Sequence, residues 1–216
     1  MDLIEVIETR RSCRAYKPDP VPEETIRKIL ETAKWSPSFS DSQTWEVAVV
    51  SGEKRDELVK KLSALAESGA PMKLDIPFPR DLPAGVSERM KAHHAHHSAY
   101  LGREPGEERP RGRGSDFYGA PCAVFIFVDR AIGEWSVFDA GLFSQSLVLA
   151  AHNCGIGSCL QTMMVVYPDA IREFLGLPET KKLVLGISLG YPDTESPEHG
   201  YTSERMDLDE FVTWYR

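Results

Sequence analysis

Two almost uninterrupted runs of apolar residues constrain the fold of this chain most strongly. The first extends from Ala120 to Val128 and the second from Leu183 to Tyr191. A strand with one face in water alternates apolar and polar residues, whereas a strand covered on both faces reads as a continuous apolar run. Stretches with helical spacing of apolar residues flank both runs. The sequence therefore predicts a central sheet of buried strands, sandwiched between helices.

The helices are predicted from their spacing and their end signals. Asp2, with Glu5 three residues later, is typical of a helix N-terminus. Ser136 is predicted to cap a long apolar helix that runs to about Asn153. The C-terminal tail is expected to hold a short amphipathic piece over 208–215.

The stretch from Gly69 to Gly119 differs in character from the rest of the chain. Prolines and glycines flank one predicted helix, about Val86 to Leu101, and a polar piece, Gly102 to Ser115, follows it. A long excursion inside a compact domain is commonly a lid or a binding loop. We therefore expect a single domain, 1–216, with an inserted lid-like segment at about 69–119.

Composition excludes several classes of function. The formal net charge is -8, which argues against nucleic acid as a partner because phosphate backbones need a basic face. No apolar run reaches the length of a membrane span, and the N-terminus lacks the pattern of a signal peptide. The chain holds four cysteines, and we expect them to be free thiols in a reducing cytoplasm.

An arginine-rich stretch lies near the N-terminus, Arg10-Arg11-Ser12-Cys13-Arg14. Guanidinium groups are always charged and match phosphate oxygens in a bidentate manner. The stretch therefore predicts an anion site, and phosphate is the favoured anion. A solvated face beside a helix C-terminus is the alternative. Cys13 could have a lowered pKa among these cations, although no base is evident beside it.

Four histidines cluster on the predicted helix of the insert: His93, His94, His96 and His97. Residues 93 and 97 share a helix face and could bind a metal ion, but no paired glutamate accompanies them. A solvated helix face and a histidine that faces a substrate are the other interpretations. The chain has no P-loop, no complete Rossmann glycine pattern and no serine hydrolase elbow.

The motifs taken together resemble the FMN-dependent nitroreductase family, and the nitrobenzoate and dinitroaniline reductases in particular. The order and spacing of the family pattern are kept over almost the whole chain. The matching motifs are the arginine stretch, Pro20-Val21-Pro22, Trp35-Ser36-Pro37-Ser38, Gln43-Thr44-Trp45, Gly119-Ala120-Pro121, Asp139-Ala140-Gly141, Cys154-Gly155-Ile156-Gly157, Gly186-Ile187-Ser188-Leu189-Gly190-Tyr191-Pro192 and Ser203-Glu204-Arg205-Met206.

The resemblance implies an α+β fold, with a central sheet flanked by helices, and an intertwined homodimer with an extended C-terminal arm. It also implies FMN bound at the dimer interface and NADH or NADPH as the reductant. The residues that it places around FMN fall into three groups. They are Arg10, Arg11, Ser12, Arg14 and Arg205 at the phosphate and ribityl chain, Pro37, Ser38 and Gln43 from the other subunit, and the backbone of Gln161, Thr162 and Met163 at the isoalloxazine ring.

The chain departs from the family pattern at several positions. Asp41 stands where the family usually has asparagine, and a carboxylate at the flavin edge would alter the hydrogen bonding there. Thr44 replaces the usual proline, and Glu198-His199-Gly200 lacks an expected asparagine. The histidine-rich helix is also unusual.

The resemblance implies an oxidoreductase that passes hydride from NAD(P)H, through the flavin, to an electron-poor acceptor such as a nitroaromatic or a quinone. In this chemistry no side-chain acid or base is obligatory. A flavin-dependent reductive dehalogenase or enone reductase is an alternative, and a non-catalytic flavin-binding module is another.

Overall fold

The computed structural model describes residues 1–103 and 114–216. The predicted polar piece from Gly102 to Ser115 lies mostly outside these ranges. None of the helices in the described part of the chain combines the length and the apolar character needed to cross a bilayer.

The core of the molecule is a four-stranded antiparallel sheet in the order β1-β2-β4-β3. Its strands are β1 Glu46–Ser51, β2 Cys122–Asp129, β3 Gly157–Gln161 and β4 Lys181–Gly190. The two continuous apolar runs form the two central strands, as predicted. In their register Val124 lies opposite Ile187, and a bulge interrupts the pairing between Ile126 and Phe127.

The described residues form six α-helices around the sheet. They are α1 Leu3–Thr9, α2 Glu23–Ala33, α3 Gly52–Glu67, α4 Ala84–Tyr100, α5 Glu134–Asn153 and α6 Pro168–Leu175. The Asp2 side chain accepts a hydrogen bond from the Glu5 amide, so the predicted N-cap of α1 is confirmed. The C-terminus of α6 is a left-handed glycine, Gly176.

Each face of the sheet has its own apolar core. Val124 and Ile126 pack with residues of α2 and α5 on one face. Phe125 and Phe127 pack with residues of α3 and α6 on the other, including Leu58. Successive strand residues point to opposite faces, so a strand buried on both sides needs an unbroken apolar sequence. The predicted sandwich is confirmed.

One predicted helix boundary is wrong. Ser136 does not cap α5, because the helix begins at Glu134 after Gly133; the Ser136 hydroxyl lies inside the first turn and donates to the Gly133 carbonyl over 2.6 Å. Within the predicted amphipathic piece, 208–215, the chain makes one short 3₁₀ turn, Leu208–Glu210, and the Phe211 and Trp214 side chains are exposed.

Candidate functional site

The arginine stretch follows α1 and is fixed along strand β3. Ser12 forms a parallel bridge with Ser158, and the Cys13 amide donates to the Ser158 carbonyl over 2.9 Å. Further along, Tyr16 bridges to Pro192 beyond the end of β4. The backbone of the stretch is therefore held on the sheet, and its side chains project from a rigid support.

Two arginines from opposite ends of the chain lie close together at this place. The pKa of Arg10 is lowered, first by burial and then by the positive charge of Arg205. Among the described residues, the buried Nη1 of Arg10 has no hydrogen-bond partner. Two neighbouring cations with an unsatisfied buried donor make a site that favours an anion.

Four of the residues predicted to bind FMN lie around the thiol of Cys159. Burial raises the pKa of Cys159, and Arg14, Ser12, Gln161 and Arg10 oppose that rise in decreasing order. These residues act on one sulfur atom, so they lie around one small region. The structure thus brings together Arg10, Ser12, Arg14, Gln161 and Arg205.

Arg11 is exposed, in contrast to its neighbours. Its charge acts on His152 near the end of α5, whose pKa is lowered first by burial and then by Arg10 and Arg11. His152 Nε2 lies 2.9 Å from the Thr9 hydroxyl. A neutral imidazole thus stands beside the cations without adding a positive charge.

The expectation that Cys13 has a lowered pKa is wrong. The Cys13 side chain is buried, and burial raises its pKa above the ordinary thiol value. The thiol donates to the Ala15 carbonyl over 3.1 Å. Desolvation outweighs the attraction of the nearby guanidinium groups, so Cys13 is a packed thiol and not a reactive one.

A buried polar network supports the site, and sequence reasoning missed it. The Gln161 amide group donates to Ser188 Oγ over 2.9 Å, and the Tyr16 hydroxyl lies 2.9 Å from the same oxygen. Burial holds the pKa of Tyr16 well above its ordinary value, so its hydroxyl stays protonated. The serine within the apolar run of β4 was the available signal, since a buried hydroxyl needs a partner.

Thr162 and Met163 follow directly after β3 and are exposed. The end of the insert approaches them closely. A Cβ on Gly114, whose φ is 100°, would lie 3.2 Å from the Met163 Cβ. Of the stretch predicted to face the isoalloxazine ring, Thr162 and Met163 are therefore accessible. They lie between the buried network at Gln161 and the end of the insert at Gly114.

Pro37, Ser38 and Gln43 lie on a separate loop. Its anchor is Asp139 of α5, a buried carboxylate that accepts from the Phe39 amide over 3.1 and 3.2 Å. Within the loop, the Gln43 amide donates to Ser38 Oγ over 2.9 Å. Asp139 was evident in the sequence only as part of a motif, although a carboxylate in an apolar helix indicates a specific hydrogen-bond partner.

The unusual Asp41 has a defined contact on this loop. Its carboxylate accepts from Gln43 Nε2 over 3.0 Å, so it orients that amide. Ser40, Asp41 and Gln43 all have left-handed backbone conformations, with φ of 50°, 56° and 46°. Residues other than glycine rarely adopt this backbone conformation, and such backbone strain is typical of functional loops.

The histidines of α4 contact the C-terminal tail. Across residues 1–103 and 114–216, no cluster of three or more metal-ligating side chains is present. His93 and His97 instead face the tail: His93 Nδ1 lies 3.2 Å from the Tyr201 hydroxyl, and the His97 ring lies 4.6 Å from the Tyr201 ring.

A family model described as "Nitroreductase family" matches residues 7–191. The chain belongs to the nitroreductase family. The match contains the arginine stretch, the loop around Gln43 and all four strands, and it ends before the tail that holds Arg205.

Several characterised nitroreductases are similar to the chain along its length. It is 35% identical to nitroreductase NfnB of Mycolicibacterium smegmatis, covering 98% of this chain and 92% of the relative. It is 31% identical to 4-nitrobenzoate reductase of Pseudomonas putida, covering 89% and 86%. The crystal structure of the FMN-dependent nitroreductase NfnB from Mycobacterium smegmatis, in complex with NADPH, superposes with a TM-score of 0.91 at 35% identity, covering 99% of this chain and 97% of that one. The predicted family and the predicted fold are both confirmed.

Proposed function

We propose that the protein is an FMN-dependent oxidoreductase that takes electrons from NADH or NADPH and passes them to an electron-poor acceptor, such as a nitroaromatic or a quinone. The observation that carries this proposal is the pairing of Arg10 with Arg205, together with a buried guanidinium nitrogen that has no partner in the described part of the chain. An FMN-dependent relative with 35% identity supports the choice of the anion.

The arginine cluster suits the phosphate and ribityl chain of FMN. Arg10, Arg14 and Arg205 would bind the phosphate oxygens, with Ser12 as a further donor and Arg11 at the rim. Charge-assisted hydrogen bonds to a dianion are among the stronger polar contacts in proteins. The phosphate would also relieve the repulsion between Arg10 and Arg205, neither of which forms an ion pair with a carboxylate in the described part of the chain.

The ring of FMN would lie against the stretch Gln161, Thr162 and Met163. When bound, the flavin supplies the capacity to accept two electrons from the nicotinamide and to deliver them to the acceptor. The residues of the chain would bind and orient it: the network of Tyr16, Ser188 and Gln161 fixes the end of β3, and backbone amides there would face the ring. Exposure at Thr162 leaves room for an acceptor.

A homodimer would complete the site, since Pro37, Ser38 and Gln43 would come from the other subunit. Large apolar side chains are exposed on α1, on α5 and in the tail, and contiguous exposed apolar surface marks an interface. They are Leu3, Ile4, Ile7, Trp135, Phe138, Leu208, Phe211 and Trp214. We also propose that the tail extends over the partner as an arm, because its apolar residues are exposed in the described part of the chain.

The proposal also covers the role of the insert and the cellular compartment of the enzyme. The segment at about 69–119 would act as a lid that selects the acceptor, in a single domain of 1–216. The four cysteines are free, which suits a cytoplasmic enzyme in a reducing compartment. A small-molecule acceptor fits the accessible stretch after β3.

The test is an anaerobic titration of the purified, flavin-loaded protein with NADH and with NADPH, followed by acceptors. We expect flavin absorbance to bleach with at least one nucleotide and to return on addition of a nitroaromatic or a quinone. Return only with a halogenated aromatic or an enone would move the function to reductive dehalogenation or enone reduction. If neither nucleotide bleaches the flavin, the protein is a flavin-binding module and the proposed activity is wrong.

A further inference from the structure

The histidine face of α4 packs on the tail segment that precedes Arg205. We call residues 196–204 the tail anchor segment. It has no regular secondary structure, and its conformation depends on what it contacts. Three successive contacts with α4 hold it, at residues 198, 200–201 and 204.

The first contact joins a buried histidine and a buried carboxylate. His97 Nε2 lies 3.4 Å from Glu198 Oε2, with side-chain exposures of only 4% and 10%. Arg103, just beyond the end of α4, reaches the other carboxylate oxygen over 3.2 Å. A buried carboxylate that lost such partners would be costly, so Glu198 holds the start of the tail anchor segment firmly against the helix.

The second contact is centred on Tyr201. Its hydroxyl lies 3.2 Å from His93 Nδ1, and its ring packs against the rings of His97 and Tyr100, at centroid distances of 4.6 and 5.5 Å. Gly200 permits this approach, because a Cβ at residue 200 would overlap the hydroxyl oxygen of Tyr100. A side chain at residue 200 would therefore make the Tyr100 ring shift from its present contact with Tyr201.

The third contact leads to the arginine. His96 Nδ1 lies 3.5 Å from a carboxylate oxygen of Glu204. Arg205 Nη1 donates to the Ser203 hydroxyl over 2.7 Å, to the Ser203 carbonyl over 3.0 Å and to the Glu204 carbonyl over 2.9 Å. The guanidinium is therefore fixed to the tail anchor segment, and the position of that segment sets the position of Arg205.

We propose that His93 and His97 are positioning residues for the cofactor phosphate: they hold the tail anchor segment so that Arg205 faces Arg10. The inference rests on the proposed binding of FMN. Arg10 and Arg205 repel each other, and a free tail would carry Arg205 away into solvent. The contacts with α4 oppose that repulsion, so the clamp is formed before the ligand arrives and less ordering entropy is lost on binding.

The role also accounts for histidines on a helix of the insert that is otherwise exposed. The insert returns beside Met163, close to the proposed ring site, and α4 holds the tail beside the phosphate site. Two parts of the insert thus lie at the proposed site: Gly114 on the ring side, and α4 beside the tail on the phosphate side.

The test measures the affinities of the full-length, flavin-depleted protein for FMN and for riboflavin, which lacks the phosphate, by quenching of flavin fluorescence. Tyr201→Phe removes one hydroxyl and keeps the ring, and Gly200→Ala makes the Tyr100 ring shift from its contact with the segment. We expect each to weaken FMN binding about threefold to tenfold, which corresponds to one hydrogen bond or more, and to change riboflavin binding less than twofold. Tyr215→Phe, the same change at an exposed tail residue, is the matched control and should change neither.

A second arm repeats Tyr201→Phe and Gly200→Ala in an Arg205→Ala background. If the histidine contacts act through Arg205, neither change weakens FMN binding further there. Full additivity in that background, an equal loss for riboflavin, or unchanged FMN binding in the single variants would each overturn the inference while leaving FMN binding itself intact. A wild-type protein that binds neither flavin would overturn the proposed function, and the inference with it.

Discussion

Arg10 and Arg205 lie almost two hundred positions apart in the chain, yet their charges interact in the folded protein. The sequence predicts that the arginine stretch with Arg10 binds an anion, because several guanidinium groups cluster there in an acidic chain. Arg205 is assigned to the same site only by the resemblance to the family. The sequence does not predict the supporting network of Tyr16, Ser188 and Gln161. Those residues come from three separate strands or loops, and their pairing depends on sheet register that only the fold determines.

Replacement of Arg10 by glutamine should weaken FMN binding about 10- to 100-fold, because a charge-assisted contact in a partly buried place is lost. Arg11→Gln removes the same charge from an exposed neighbour and should change the affinity less than about threefold. Isothermal titration of both flavin-depleted variants measures the difference. Equal losses of FMN affinity in the two variants would contradict the proposal, because net charge alone would then attract the cofactor and Arg10 would have no specific contact with it.

At the scale of elements, the sheet edge at β3 supports the arginine stretch through very close packing. A Cβ on Gly157 would lie 2.9 Å from Cys13 Sγ and 3.0 Å from Pro192 Cγ. The turn glycines were evident in the sequence, but the reason for Gly157 is tertiary and could not be derived from local spacing.

Gly157→Ala should therefore displace Cys13 and the residues beside it. We expect a loss of about 1–3 kcal/mol in the free energy of unfolding, typical of overpacking, together with weaker FMN binding. Gly85→Ala is the control, because its nearest neighbour is the flexible end of Arg89 at 3.6 Å, and it should be neutral or slightly stabilising. Urea denaturation of both variants measures the effect; a Gly157→Ala protein as stable as the wild type would refute the packing argument.

The start of the insert is tied to the sheet by Asp75. Burial alone would raise the pKa of Asp75, but hydrogen bonds from Arg172, from the Leu183 amide and from Arg130 outweigh it, so the pKa is lowered. Its stabilising contribution is therefore complete above the ordinary aspartate pKa of about 3.9 and is lost as the pH falls through the lower value in the folded protein.

Asp75→Asn should cost about 3 kcal/mol at neutral pH, because it removes a partner of the buried Arg172. Below about pH 4 the variant should lose less stability than the wild type does, because it has no carboxylate to protonate at residue 75. Thermal denaturation between pH 3 and pH 7 measures both effects. Parallel pH profiles for the two proteins would show that Asp75 is not the titrating group.

At the scale of the whole molecule, the layered sheet and the helix order followed from the apolar runs, since burial on both faces leaves few other arrangements. The proposed homodimer could not be derived from the apolar runs. Periodicity indicated that α5 is apolar nearly all round, but it did not show that Trp135 and Phe138 stay exposed on a single chain. The sequence of the tail likewise does not show which surface its apolar residues pack against.

Phe138→Glu tests the proposed dimer. The side chain is 57% exposed in one chain, so the folded monomer should tolerate the charge, whereas a dimer interface should not. We expect the wild type to behave as a dimer and the variant as a monomer in light scattering at low micromolar concentration. Met72→Glu, at an equally exposed residue outside the helices, should remain dimeric. A wild-type monomer would contradict the proposal.

The central claim is that the paired arginines form a phosphate site for FMN. The most direct test compares the affinity of the wild-type protein for FMN and for riboflavin in the same buffer at low ionic strength. Several charge-assisted contacts to the phosphate predict that FMN binds about a hundredfold or more tighter, with a difference that shrinks as salt is added. Equal affinities at every salt concentration would contradict the account, because the arginines would then have no part in holding the cofactor.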